Sequence, residues 1–134
     1  MTNSMNSAKA RWTAQMKVLF PEARLKKDRG TEMTFEVLPR DLHQILAWLK
    51  NSGWRQLSMI TGVDWIDEGQ FELVYNLFDW EQGLRMLLSM RIGRDMPQAL
   101  TITNIYDGAQ YYEREIHEFF GIEFIGNEDA LKSL

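Results

Sequence analysis

Apolar residues recur along the chain with two periods, and the change from one to the other separates helices from strands. From about Ser7 to Phe20, Ala8, Trp12, Met16 and Leu19 fall at spacings of three and four, and Pro21 stops the run. That spacing predicts a helix with one buried stripe. Two short strand-like pieces follow, Ala23–Lys27 and Met33–Leu38, and the polar turn Asp28-Arg29-Gly30 between them predicts a hairpin. Pro39-Arg40-Asp41 opens a second helix, since a proline in the first turn sacrifices no internal hydrogen bond. Leu42, Ile45, Leu46 and Leu49 form its stripe and Asn51-Ser52-Gly53 closes it. His43 falls beside that stripe, at the boundary with solvent.

Beyond Gly53 the texture is that of strands. Leu57–Val63 is mostly apolar and Phe71–Phe78 follows. In Leu84–Ile92 the residues Leu84, Met86, Leu88, Met90 and Ile92 alternate with Arg85, Leu87, Ser89 and Arg91, the period of a half-buried strand. Asp79–Gly83 supplies a turn between the last two, which predicts an antiparallel hairpin. Leu100–Ile105 is short and fits either an extended or a helical piece. The last element, from about Asp107 to Phe120, is helical, with Asp107 as its cap, Gly121 as its stop and Tyr112, Ile116, Phe119 and Phe120 as its apolar face. Helices at the ends and middle with strands in sequence between them predict an α+β fold, a two-layer arrangement of a mixed or antiparallel sheet with helices packed on it. The 134 residues form one domain, 1–134, with 1–6 expected to be disordered.

Composition narrows the chemistry. There is no cysteine and there are two histidines, His43 and His117, which excludes disulfides, thiol nucleophiles and cysteine-held zinc or iron–sulfur centres from this chain. No apolar run reaches the roughly 18–20 residues of a membrane span, and the first residues lack the basic start and apolar stretch of a secretory leader; a soluble, cytoplasmic protein is expected. The net charge of −4 argues against nucleic acid as a partner. It hides an asymmetry. Residues 1–60 carry ten Lys/Arg against five Asp/Glu, whereas residues 61–134 carry five against fourteen. The acidic half reads either as a solvated surface or as a docking face for a basic partner.

Candidate chemistry concentrates in Glu113-Arg114-Glu115-Ile116-His117-Glu118. Glu113 and His117 are four apart and Glu115 and Glu118 three apart, so each pair shares a helical face. Three readings stay open on the residues alone. The first is a solvated face whose carboxylates favour the positive end of the helix. The second is an interface helix in which the planar fork of Arg114 pairs across a contact. The third is a site with His117 as base or ligand, oriented by Glu113 or Glu118. No second zinc ligand stands in register, because the position that would complete H-E-x-x-H is Gly121. Nucleophile-elbow, phosphate-loop and dinucleotide motifs are absent. Asp64, Asp67 and Glu68 follow a strand without calcium-loop spacing and read as turn carboxylates. Trp65 and Trp80 sit near turns, where an exposed ring could anchor a partner.

Taken together, Glu113-Arg114-Glu115, Ile116-His117-Glu118-Phe119-Phe120-Gly121-Ile122, Phe124 and Gly126 resemble the signature of the 30-kDa subunit family of respiratory complex I, the NADH:quinone oxidoreductase. That signature has ERE, two variable positions, an acidic residue, two apolar residues, then Gly and an aromatic-Gly pair. Leu57–Asp64 (LSMITGVD), Phe71–Leu77 with its Val-Tyr-x-Leu ending, and Thr101–Tyr112 (TITNIYDGAQYY) resemble the family's upstream segments. Residues 55–134 carry the likeness well and 7–53 more loosely. There are departures. Gly126-Asn127-Glu128-Asp129-Ala130-Leu131-Lys132 lacks the histidine and proline of the family's Gly-His-Pro-Asp-Leu, and His117 stands where tyrosine is common. These features and the stop at Leu134 look more like the equivalent small subunit of membrane-bound energy-converting [NiFe] hydrogenases. The resemblance implies a cofactor-free peripheral scaffold on the inner face of the cell membrane. It implies contact with the membrane only through the complex, and as partners the large catalytic subunit and iron–sulfur subunits. It also implies an interface through Glu113, Arg114, Glu115, His117, Glu118, Phe120, Gly121, Phe124 and Gly126. The alternatives are a stand-alone protein-binding module and a small acid–base enzyme using His117 with Glu113 or Glu118.

Overall fold

The computed structural model describes residues 2–126. In chain order these form α1 (Thr2–Leu19), β1 (Arg24–Arg29), β2 (Glu32–Glu36), α2 (Pro39–Asn51), β3 (Gln56–Trp65), β4 (Gln70–Asp79), β5 (Leu84–Gly93), β6 (Gln98–Leu100), α3 (Ala109–Phe120) and β7 (Glu123–Ile125). The hairpin β1–β2 and the meander β3–β4–β5 join into one five-stranded sheet of order β1-β2-β5-β4-β3. All neighbours are antiparallel except β2 and β5, which run parallel with Met33 opposite Met86 and Phe35 opposite Leu88. A second, two-stranded sheet pairs β6 with β7 in parallel.

Burial follows the alternation of the strands. Met33 and Phe35 of β2, Leu73, Tyr75 and Leu77 of β4, and Leu84, Met86, Leu88 and Met90 of β5 point to one face and are buried. Trp12 and Met16 of α1, the Leu42–Ile45–Leu46–Leu49 stripe of α2 and Ile116 of α3 complete the same core. Each fully buried aliphatic side chain contributes about 1.5–3 kcal/mol relative to exposure. The result is the expected α+β two-layer structure, with the helices on one face of a mixed sheet. Trp12 stacks edge-on against Trp48 and Trp54 at 5.8 and 5.6 Å, locking α1 to α2. Lys9 ties α1 to Asp28 of the hairpin. Among the described residues no helix is long and apolar enough to cross a membrane.

Three expectations need correction. The first helix begins at Thr2 rather than near Ser7. Leu19 is exposed, and the next residue, Phe20, packs against the core instead, its ring 6.0 Å from that of Trp48. Leu100–Ile105 is neither one strand nor a helix: β6 ends at Leu100, and the next residues turn through bonds from the Ile105 and Tyr106 N–H groups to the Ile102 carbonyl. The departures at Asn127–Lys132 lie outside the described residues.

The opposite sheet face is polar and laced with pairs. Burial disfavours the charged form of Glu72. Hydrogen bonds from Ser89 Oγ and Trp65 Nε1, with the Arg91 charge beside it, outweigh that and hold its carboxyl below the ordinary 4.5. Glu36 is held low as well, by hydrogen bonds from Arg24 and Lys26. A carboxylate depressed in the folded state stabilises it above its unfolded pKa, and that contribution is lost as pH falls through the folded value. Unfolding free energy is therefore expected to decline below about pH 4.5. In Glu72→Gln the decline should be shallower, as measured by urea unfolding across pH 3–6 (roughly the carboxylate range).

Candidate functional site

The C-terminal helix carries most of the candidate residues, and the sheet decides which way each faces. Helix α3 lies along β3. The Tyr112 hydroxyl donates to the Ser58 carbonyl at 2.6 Å, Ile116 is buried, and the Phe120 ring covers Gly62. A Cβ on Gly62 would stand 2.6 Å from Phe120 Cε2, so a glycine lets the helix close onto the strand. Phe120 also meets Phe71 edge-on at 5.6 Å. The helix is not capped by Asp107 as expected. Its N-cap is Gly108, without a side-chain cap, because the chain still turns at Asp107.

On the inner flank, Glu113 is completely buried. Its carboxylate accepts from Thr101 Oγ1 at 2.6 Å and from the Ile102 backbone N–H at 2.8 Å. One side chain thus joins α3 to the segment after β6 and satisfies a backbone donor that the turn would otherwise leave unmet. Burial, and secondarily the Glu113 charge, push the phenol of neighbouring Tyr75 well above its ordinary range. One turn on, His117 Nδ1 lies 2.9 Å from the Ile122 carbonyl. A carbonyl only accepts, so the proton is on Nδ1. Gly121 ends the helix at φ 77° and Gly126 turns at φ 92° with Thr101 Cγ2 packed close, both conformations that favour glycine. Between them Phe124 is buried opposite Ala99, which seats β7 on β6.

The candidate residues therefore divide by direction. Glu113, His117, Phe120, Gly121, Phe124 and Gly126 build the helix, its stop and the small sheet. Arg114, Glu115 and Glu118 face solvent, with Arg114 Nε 3.6 Å from Glu118 Oε1 and both side chains about half exposed. Phe119, expected on the inner face, is 82% exposed. At 100° per residue it lies well off the Ile116–Phe120–Glu113 centre of the buried stripe, and β3 is the edge of the sheet, so no further described strand lies beneath that flank. Tyr111 is exposed too. Periodicity could not mark Phe119 as outward, since only the edge position of β3 makes it so.

These groups do not form an acid–base site. Glu113 is sequestered inside, Glu118 faces outward, and His117 is committed to the main chain. A groove of about 880 Å³ runs elsewhere, between α1 and the β4–β5 turn, lined by Trp12, Gln15, Ser52 and Asp79. Among the described residues no three His, Asp or Glu side chains converge as metal ligands would. The acidity of residues 61–134 is partly cancelled on the spot: Asp64 pairs with Arg94, and Glu68 and Glu72 with Arg91. Trp65 is stacked under Arg91 at 4.7 Å, while Trp80 projects 75% exposed from the β4–β5 turn.

The model of the family described as respiratory-chain NADH dehydrogenase, 30 Kd subunit, matches residues 35–134. The chain is 31% identical over 109 residues to a subunit of the NADH-quinone oxidoreductase of Agrobacterium fabrum, covering 77% of this chain and 53% of that one. It is 32% identical over 92 residues to a subunit of the F(420)H(2) dehydrogenase of Methanosarcina mazei, covering 68% and 58%. Among solved structures, a chain of the membrane-bound sulfane sulfur reductase, an archaeal respiratory membrane complex, superposes with a TM-score of 0.84 at 34% identity, covering 91% of this chain and 73% of that one. The trypsin-resistant fragment of Nqo5 shares the fold, with a TM-score of 0.70 at 21% identity over 95% of this chain and 98% of that one. The chain spans about half or less of the length of the first curated relatives it matches.

Two substitutions test the inner half of the motif. Glu113→Ala removes the acceptor of two bonds and should lower unfolding free energy by about 1.5–3 kcal/mol for each, read by chemical denaturation. Gly62→Ala forces Phe120 aside and should cost about 1–3 kcal/mol. Adding Phe120→Leu should recover part of that loss, a coupling that a double-mutant cycle would detect.

Proposed function

Because the chain belongs to the respiratory-chain NADH dehydrogenase 30 Kd subunit family, we propose that it is a cofactor-free peripheral scaffold of a membrane-associated oxidoreductase complex. In this reading it docks the large catalytic subunit and the iron–sulfur subunits on the cytoplasmic side of the membrane and holds no reaction centre of its own. The observation that carries the reading is the outward flank of α3. Arg114, Glu115, Glu118 and Phe119 stand on a module whose inner residues are fully engaged, so the flank is rigid before any partner arrives. A rigid surface loses little conformational freedom on binding. Arginine is one of the residue types enriched at energetic hot spots.

The relatives support the role more directly than the donor or acceptor. Identities of 31, 32 and 34% connect the chain to members of three differently named complexes. What the three share is the module, so the function assigned to it is assembly. Within that reading the host is of the energy-converting hydrogenase type, on His117 standing where tyrosine is common in respiratory members.

Arg114→Ala and Phe119→Ala should leave the isolated chain as stable as wild type within about 0.5 kcal/mol, since both side chains are exposed. In the assembled complex, loss of Arg114 should weaken docking by about 2–5 kcal/mol. Affinity purification through a tag on this chain should then recover the wild type with the large subunit and Arg114→Ala without it. Full assembly of the variant would overturn the proposal.

A further inference from the structure

Among the described residues the five-stranded sheet has two unpaired edges, and they are built differently. Edge β1 is exposed along its whole length and carries Arg24, Lys26, Lys27, Asp28 and Arg29, with Arg24 and Lys26 paired to Glu36 of the neighbouring strand. Such a row of cations discourages another strand from pairing there. Edge β3 is ten residues long, has no proline, and bears a single charge, Asp64, which Arg94 neutralises at 2.8 Å. Its one irregularity lies between Leu57 and Met59, and from Met59 to Trp65 the register with β4 is unbroken. Met59, Val63 and Trp65 form a row on the open face of the sheet, each more than a third exposed. A long, regular, apolar edge of this kind is a template for strand addition.

Helix α3 turns this edge into a two-walled site. Tyr112 and Phe120 rest on β3, while Glu113 and His117 point to the opposite flank, towards Ile102 and Ile122. By the 100° step of the helix, Glu115 and Phe119 lie on the flank that overhangs the outer edge of β3. Phe119 is almost fully exposed there, and Glu115 has no ion-pair partner among the described residues. The wall above the edge thus offers one large apolar contact and uncompensated negative charge.

We propose that the outer edge of β3 accepts an extended basic-and-apolar segment of the large partner subunit as a sixth strand, under the overhang of α3. The inference rests on the docking reading above and assigns that contact its geometry. Main-chain bonds to β3 supply pairing. Alternate apolar side chains of the incoming strand fall beside the Met59–Val63–Trp65 row or against Phe119, and a lysine or arginine reaches Glu115. The sheet order would become β1-β2-β5-β4-β3-partner, with the charged β1 edge left to solvent.

Amide hydrogen exchange distinguishes the two levels of the claim. The complex purified through a tag on this chain is compared with the isolated chain, peptide by peptide. Exchange in residues 57–65 should slow at least tenfold in the complex, with 111–120 slowed alongside and residues 24–29 unchanged. Unchanged exchange over 57–65 in an assembled complex would overturn strand addition and leave docking intact. Failure of the wild-type chain to bring down any large subunit would overturn the docking reading itself. A photo-crosslinking residue substituted at Val63 supplies the second readout. Attachment to an extended segment containing Lys or Arg in the large subunit supports the proposal; attachment to a second copy of this chain, or to a helical or acidic segment, overturns it.

Discussion

The parallel pairing of β2 with β5 is the constraint from which the rest of the molecule follows. Antiparallel neighbours can be joined by a tight turn, but parallel ones cannot, so the chain must leave β2, cross the sheet and return. Here the excursion is α2 followed by β3 and β4. It places α2 over the seam where Met33, Phe35, Met86 and Leu88 are buried, and α1 packs beside it through Trp12. The seam is extended at both ends by main-chain bonds from Val37 to Ser89 and from Arg85 to Thr31, each 2.8 Å. Because the hairpin and the meander meet there, their outer strands become the two edges. The face beneath the helices is then closed by α3 on the β3 side.

Much of this arrangement can be read from residue order, and the parts that cannot share a physical cause. Period-two alternation in Leu84–Ile92, the Asp79–Gly83 turn and the Leu42–Leu49 stripe are local signals, and each element appears within a residue or two of where it is expected. The β2–β5 seam is a contact between residues about fifty positions apart, and no spacing within either strand announces it. The misplacement of Phe119 has the same origin. A helix stripe says which residues prefer burial, but how wide a stripe is covered depends on what lies below. Placing α3 over an edge strand shortens the covered arc. Glu113 is a different case. A glutamate between Tyr112 and Arg114 reads as surface, and only the backbone of Thr101–Ile102 folding beneath it makes burial favourable.

The motif that carries the family likeness is thus two overlapping sets of residues. One set fixes the helix stop, the small sheet and the buried carboxylate. The other set, interleaved with it on the outward flank, is left free of internal duties. Interleaving on a helix is an economical way to couple them, since adjacent positions are forced onto different sides by the 100° step. A substitution in the first set alters the second by moving the helix, while a substitution in the second leaves the core untouched.

The buried carboxylate of Glu113 also bears on the order in which the fold can form. The sheet and turn residues beneath the inner face of α3 precede it in the chain: Gly62, Phe71, Tyr75 and the Thr101–Ile102 backbone. A buried acidic side chain is tolerated only where its hydrogen-bond donors are already in place. On a polypeptide whose sheet has not formed, those donors are scattered, and the helix has no site that would accept its inner face. Phe119 and Glu115 then have no fixed relation to the strand below them. The geometry of this flank is therefore defined only once the sheet beneath it is complete.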